Sequence, residues 1–213
     1  MHIPDGFIAP QVYLPAYALA GLGWAWAARG LNRRLDEETV PRLAVLAALA
    51  YALGLVMVPL PGGTSGHALG VAMLALVFGV RTAFLAYSLV LVLQSLLFGA
   101  GGVTALPVNA LAIGLGGALC AVAGYRALAP WRPAAGVVLG AVLSVLLPAL
   151  VIAGVLGAQP LIARREDGTP LFFPFGWAVT VPAVMLPHLV VAAGEAVLTL
   201  GVWRYTRSRG WAP

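Results

Sequence analysis

Long apolar stretches separated by short breaks constrain this chain more than any other feature of its sequence. Hydrophobic residues make up 62% of the 213 residues and charged residues only 9%, which is more apolar surface than a water-soluble domain of this size can bury. The sequence therefore predicts an integral membrane protein. Its single cysteine, Cys120, lies inside an apolar stretch, which excludes both a disulfide framework and a multi-cysteine metal site.

Measured against the roughly 20 apolar residues that a helix needs to cross a bilayer, the stretches predict an all-α, polytopic fold in one domain, residues 1–213, with about seven transmembrane helices. The predicted segments are 10–28, 43–60, 68–80, 82–98, 108–129, 135–157 and 176–203. The third is too short for a full crossing. We therefore expect the loop before it, residues 61–67, to dip into the protein and form a site, because irregular backbone at membrane depth needs protein or a cavity around it.

The arginines predict the topology, since all twelve basic residues are arginines and they cluster in the breaks. With seven crossings, one face carries ten of them: Arg29, Arg33, Arg34, Arg42, Arg81, Arg126, Arg132, Arg204, Arg207 and Arg209. The other face carries Arg164 and Arg165. The positive-inside rule then places the C-terminus in the cytoplasm and the N-terminus outside. We expect a prokaryotic plasma membrane protein that contacts lipid and binds no nucleic acid.

The first residues, "MHIPDGF", predict a metal chelate. The α-amine of Met1 and the backbone nitrogen and Nδ1 of His2 close two unstrained chelate rings, and late transition metals such as Ni(II) or Co(II) favour nitrogen donors. His67, in "GGTSGHALG" on the same predicted outer face, could supply a fourth nitrogen. Residues 1–9 would be the chelating arm, which requires that no signal peptide is cleaved; the basic n-region and the cleavage site of one are missing. Two alternatives stay open: His2 could be a terminal histidine without a function, and His67 could be a loop histidine that only forms hydrogen bonds.

Further polar residues are candidates for a second layer around the metal or for the cavity wall. They are Asp5, Ser65, Gln94, Asn109, His188 and Glu195. Asp5 could cap the Asp-Gly turn or orient an imidazole, whereas Gln94 and Asn109 could instead make ordinary interhelical hydrogen bonds. His188 and Glu195 share one face of the last helix, where charge is costly, and either serve function or fix packing. His188 is expected to lie about 18 Å below the outer start of that helix, too deep to meet His2.

Several enzyme classes are excluded by missing motifs, because the chain has no phosphate-binding loop, no H-E-x-x-H and no G-x-S-x-G. The longest outer loop, residues 158–174, could form a cap. An intramembrane enzyme stays a weak alternative. A stronger alternative is a stand-alone secondary transporter that uses His188 and Glu195 as a proton relay.

Four stretches, "MHIPDGF", "GGTSGHALG", "LVLQSLLFGAGGVTALPVNALAIG" and "PHLVVAAGEAVLT", resemble the CbiM/NikM family. Its members are substrate-binding membrane components of energy-coupling-factor (ECF) transporters for cobalt or nickel. The resemblance implies a metal held by Met1, by the backbone and ring nitrogens of His2, and by His67. In this family an acidic residue is expected where this chain has Ala100, so a role for that carboxylate is in doubt here.

The resemblance also implies a transport component rather than an enzyme, with Ni(II) or Co(II) as the transported substrate and no organic cofactor. The implied partners are an ECF transmembrane coupling subunit, ABC-type ATPase subunits that hydrolyse the ATP, and often a small accessory membrane subunit. The motifs do not separate cobalt from nickel.

Overall fold

The computed structural model describes residues 2–60 and 64–211, and nearly all of the regular structure in these residues is helical. The helices are α1 (Pro10–Ala28), α2 (Thr39–Leu55), α3 (Val71–Phe98), α4 (Leu106–Asn109), α5 (Gly117–Leu128), α6 (Pro133–Ile162) and α7 (Trp177–Ser208), with a 3-10 turn at Leu31–Arg33 and a π-helical segment at Ala110–Gly116 between α4 and α5. Two short antiparallel strands, β1 (Val58–Leu60) and β2 (Thr64–Gly66), complete the set. The predicted all-helical class is confirmed.

Four helical stretches in the described part of the chain are long and apolar enough to cross a membrane. They are Val71–Phe98, Leu106–Leu128, Pro133–Ile162 and Trp177–Ser208. Many large apolar side chains on their surfaces are exposed, as lipid-facing residues must be. Helix α2, with 17 residues, is shorter than the roughly 20 that a span needs. The protein is therefore a multi-pass membrane protein, while the count of seven crossings and the sides of the termini stay predictions.

Several predicted helix boundaries are displaced by a few residues, and two of these displacements change where a loop lies. In the predicted segment 43–60, the helix ends already at Leu55, and residues 58–60 form β1. The prolines and glycines after Leu55 do not favour a longer helix. The outer loop predicted from residue 158 begins only at residue 163, since α6 continues to Ile162 through Pro160. The carbonyl of Pro160 is satisfied there by the guanidinium of Arg164, at 2.7 Å.

Helix α3 is not straight, because Gly79 has a left-handed φ of 77° that interrupts it. Near its start, a Cβ on Gly70 would lie 3.0 Å from the Cα of Ala50 in α2. At its other end, the ring of Phe98 lies 6.1 Å from that of Tyr51, the next residue of α2. A straight helix of 28 residues would hold its ends about 42 Å apart, so the chain reverses direction at Gly79. This is the predicted boundary between segments 68–80 and 82–98.

Breaks that were predicted to share one face do come together at one end of the molecule. The guanidinium of Arg81 lies 4.8 Å from the ring centre of Trp26, at the end of α1, and also donates to the Trp26 carbonyl. The guanidinium of Arg42 lies 5.5 Å from the ring centre of Trp211 near the C-terminus. The opposite end, where α1 begins, receives the N-terminal residues.

Candidate metal site

Residues 2–9 form an arm that is held against the helices by backbone hydrogen bonds. Asn109 binds Ile3 on both sides: its Oδ1 accepts from the Ile3 amide at 3.0 Å, and its Nδ2 donates to the Ile3 carbonyl at 3.1 Å. The Ile3 carbonyl also accepts from the amide of Gly102 at 2.9 Å. Ile3 and Asn109 are almost fully buried. The residue after His2 is therefore fixed in position.

Asp5 holds the next part of the arm. Its carboxylate accepts from the backbone amides of Val103, at 3.0 Å, and Thr104, at 2.7 Å, and from the Thr104 hydroxyl. The hydrogen bond from the Thr104 hydroxyl is the main reason that the pKa of Asp5 lies below its usual range. A Cβ on Gly102 would lie 2.5 Å from Oδ1 of Asp5, so the close approach requires glycine there. Asp5 therefore anchors the arm and makes no described contact with an imidazole.

The far end of the arm is held by α6 and by the loop before α7. Oε1 of Gln159 accepts from the Ala9 amide at 2.9 Å, and the carbonyl of Phe7 accepts from the Phe173 amide at 3.3 Å. The rings of Phe7 and Phe173 meet edge to face at 5.7 Å. The loop thus packs on the arm, as a cap would. Sequence reasoning missed Gln159, which reads as one more polar residue near a helix end.

The arm brings His2 beside His67, with the two ring centres 4.9 Å apart and the planes inclined by 53°. His67 lies in the loop after β2, and its Nδ1 donates to the carbonyl of Ala68 at 3.0 Å, which leaves the Nε2 lone pair available to a metal. Burial lowers the pKa of His67 to about 4 and holds the pKa of His2 well below its usual range. Both rings are therefore neutral at neutral pH, the form that metal ligation requires.

His188 lies near one ring of this pair, that of His67. It is buried in α7, its Nδ1 donates to the Val184 carbonyl at 2.7 Å, and it lies close enough to His67 to contribute to the lowered pKa of that ring. The expectation that His188 lies too deep to meet His2 stays a prediction. The chain just after His67 reaches deep beside α7, since Leu69 and Gly70 contact Glu195, which lies about two turns further along α7 than His188.

Glu195 and Gln94 both form hydrogen bonds with backbone groups of other segments. The two carboxylate oxygens of Glu195 accept from the amides of Leu69 and Gly70, both at 2.8 Å. Nε2 of Gln94 donates to the Tyr51 carbonyl at 3.3 Å, which connects the part of α3 after Gly79 to α2. These bonds account for Glu195 without a proton relay, and the relay stays an untested prediction.

Some predicted site residues lie outside the described part of the chain. These are Met1, residues 61–63 of the predicted loop, and the side chain of Ser65. Within residues 2–60 and 64–211, no three or more His, Cys, Asp or Glu side chains are grouped so that they could hold a metal ion. The paired imidazoles would therefore need donors other than such side chains, and the adjacent backbone nitrogens of the arm are of a suitable kind.

A family profile and several named relatives match nearly the whole of this chain. A profile described as "CbiM: Cobalt uptake substrate-specific transmembrane region" matches residues 2–212. The probable fused nickel transport protein LarMN of Lactiplantibacillus plantarum is 36% identical over 97% of the chain. The fused nickel transport protein NikMN of Rhodobacter capsulatus is 34% identical over 95% of the chain. The chain spans only 64% and 60% of the length of these two relatives.

The fold has a solved counterpart. A crystal structure of a truncated transition metal transporter superposes with a TM-score of 0.92, at 34% sequence identity, over 98% of this chain and 99% of that one. Family profile, sequence relatives and superposed structure each extend over nearly the whole chain, from the arm to the end of α7. The chain therefore belongs to the CbiM family of cobalt uptake substrate-specific transmembrane regions.

Proposed function

We propose that this chain is the substrate-binding membrane component of a nickel or cobalt importer, and that its N-terminal arm is part of the metal site. The observation that carries the proposal is the 4.9 Å pairing of the His2 and His67 rings. One ring comes from the second residue of the chain and the other from a buried loop. Two neutral imidazoles this close together can both be ligands of one transition-metal ion, since imidazole nitrogen suits such metals.

The donor set is completed by the start of the polypeptide. The α-amine of Met1, the backbone nitrogen and Nδ1 of His2, and Nε2 of His67 would give four nitrogens, a set that suits square-planar Ni(II). The α-amine has an ordinary pKa of about 7.7–8.0, so its proton is displaced easily by a metal at neutral pH. Calcium and magnesium, which prefer oxygen ligands, would be rejected. The arm, residues 1–9, and the loop, residues 61–67, would thus be the two halves of the site.

The hydrogen bonds of the arm support this role. Asn109 fixes the residue directly after His2, and Asp5 fixes the chain two residues further on. A short terminal segment is usually mobile unless it is tied down. Ordering these residues before the metal arrives removes part of the entropic cost of binding.

Release would take place inward, driven by partners. We propose an ECF transmembrane coupling subunit and ABC-type ATPase subunits, with a small accessory membrane subunit in some assemblies. Relatives named as fused nickel transport proteins are longer than this chain by about a third of their length, which supports a further component joined to this one. ATP hydrolysis would occur in the partners.

The absence of lysine makes a selective test possible. In protein that begins at Met1, the α-amine is the only primary amine, because the chain contains no lysine. Acetylation at neutral pH, followed by hydroxylamine to clear tyrosine esters, would therefore remove one proposed donor and nothing else, and mass spectrometry would verify a single acetyl group. We expect the acetylated protein to lose Ni(II) binding in calorimetry, and protein loaded with Ni(II) beforehand to resist acetylation.

Mock-treated protein is the matched control, and His67→Ala is the second variant. Acetylated protein that binds Ni(II) as tightly as the mock-treated sample would overturn the proposal. The proton-relay alternative predicts this outcome, since neither His188 nor Glu195 would be modified.

A further inference from the structure

One peptide group connects Glu195 to the ring of His67. The amide of Leu69 donates to Oε2 of Glu195 at 2.8 Å. The carbonyl of the same peptide group belongs to Ala68 and accepts from Nδ1 of His67 at 3.0 Å. The carboxylate, the peptide plane and the imidazole therefore form a continuous hydrogen-bonded series, and its free end is Nε2 of His67.

The second oxygen of Glu195 fixes the same segment one residue later, through the amide of Gly70 at 2.8 Å. Gly70 has a left-handed φ of 74°, and a Cβ there would lie 2.8 Å from the Cβ of Ala50. The chain is thus pressed against α2 on one side and bound to α7 on the other. Glu195 is almost completely buried, so water does not compete effectively for its oxygens.

We propose that Glu195 is the positioning residue of the metal site, and that it sets the orientation and donor strength of His67 through the Ala68–Leu69 peptide group. Metal-ligating histidines commonly donate their second ring N–H to a carboxylate or a backbone carbonyl, which fixes the tautomer and raises ligand basicity. Here the carboxylate acts indirectly: it polarises the peptide group whose carbonyl accepts the hydrogen bond from the ring N–H. This inference rests on the proposed function and adds a residue to it.

Three variants separate positioning from general packing. Glu195→Gln keeps the shape but turns an NH2 group toward one of the two backbone amides, which breaks one hydrogen bond. Glu195→Asp keeps both acceptor oxygens but withdraws them by about 1.5 Å. Thr206→Val is the matched control: Thr206 is buried on the same helix, and its hydroxyl bonds only within α7, to the Trp203 carbonyl at 3.1 Å.

Two readouts are required, Ni(II) affinity by calorimetry and the visible absorption spectrum of the bound Ni(II). For Glu195→Gln we expect an affinity about 10- to 100-fold weaker than wild type, as for other residues that orient a metal ligand. Its spectrum should shift toward that of His67→Ala, because a misplaced His67 leaves the fourth position to solvent. Glu195→Asp should fall between wild type and Glu195→Gln, and Thr206→Val should match wild type.

A purely structural role for Glu195 would lower thermal stability and leave the spectrum of the bound metal unchanged, and that result would overturn the inference. If Glu195→Gln does not fold, the test rests on Glu195→Asp. A Glu195→Asp protein with the Ni(II) affinity and the spectrum of wild type would then overturn the inference. Failure of the proposed function looks different, because wild type and His67→Ala would then bind Ni(II) equally.

Discussion

Replacing Asn109 by alanine tests the arm most directly, because this one side chain makes two of the hydrogen bonds that hold residue 3. The substitution leaves the amide of Ile3, a 1% exposed residue, without its acceptor, and an unsatisfied buried donor costs about 1–3 kcal/mol. The Ile3 carbonyl loses Nδ2 of Asn109 but keeps the amide of Gly102, so the second loss costs only about 0.5–1.5 kcal/mol. The two losses together amount to about 1.5–4.5 kcal/mol, and we take about 2 kcal/mol, a value near the lower end, as the loss for the docked arm.

A loss of about 2 kcal/mol corresponds to roughly a 30-fold smaller docked-to-undocked ratio. That factor appears in the apparent Ni(II) affinity only to the extent that the arm is undocked before the metal binds. Two measurements on detergent-solubilised protein together test the change in arm docking. They are the Ni(II) affinity by calorimetry, and the hydrogen–deuterium exchange of the N-terminal peptide without metal. We expect up to about 30-fold weaker binding and faster exchange at residues 2–5.

Asn32→Ala is the matched control, since Asn32 is exposed and lies in the 3-10 turn at the other end of α1. If Asn109→Ala binds Ni(II) like Asn32→Ala and its arm exchanges no faster, the arm is not held as described here. Order in the arm would then have no effect on metal capture.

Three further predictions concern the surroundings of the two rings. In calorimetry, Gly101→Ala should weaken Ni(II) binding more than Gly99→Ala. Both glycines have a left-handed φ, but only at Gly101 would the new Cβ contact His2, at 3.2 Å. Equal effects of the two substitutions would show that backbone strain alone weakens binding. His188→Ala should keep most of the Ni(II) affinity while His67→Ala loses it, because the ring of His67 is the one that lies beside the ring of His2, at 4.9 Å; the reverse order would make His188 a ligand. Metal-free protein should lose thermal stability as pH falls from about 6.5 to about 4. Burial lowers the pKa of His67 to about 4, so in this interval the unfolded chain takes up a proton that the folded protein does not. His67→Gln should lose less stability over the same interval, and a pH profile identical to that of wild type would show that His67 is not the group responsible.

The sequence alone singled out the two rings that lie together at the candidate site, but not the side chains that hold them in place. Runs of apolar residues require helices, because backbone groups in lipid must be satisfied within the segment, and the helical class follows from that. His2 and His67 stood out because imidazoles are rare in such a chain and each lies in a break. The short third segment also indicated that the loop before it, residues 61–67, enters the protein. Leu69 and Gly70, just after this loop, contact α7, but residues 61–63 lie outside the described part of the chain, so the course of the loop stays a prediction.

Tertiary structure decided which polar residues serve which half of the site. Nothing in the order of residues pairs Asn109 with Ile3 or Gln159 with Ala9, because these contacts join positions more than a hundred residues apart. The proximity of His188 to His67 was not predicted for the same reason: a helical rise gives position along one helix, but not how far a segment from elsewhere descends beside it.

Local sequence, then, determined where helices can form and which side chains can bind a metal, because hydropathy and donor chemistry are properties of each residue. The tertiary structure decided that α3 reverses at Gly79, that the arm lies against Gly101 and Gly102, and that Glu195 reaches His67 through one peptide group. Those outcomes depend on which surfaces pack together, and packing is settled by the whole set of helices at once.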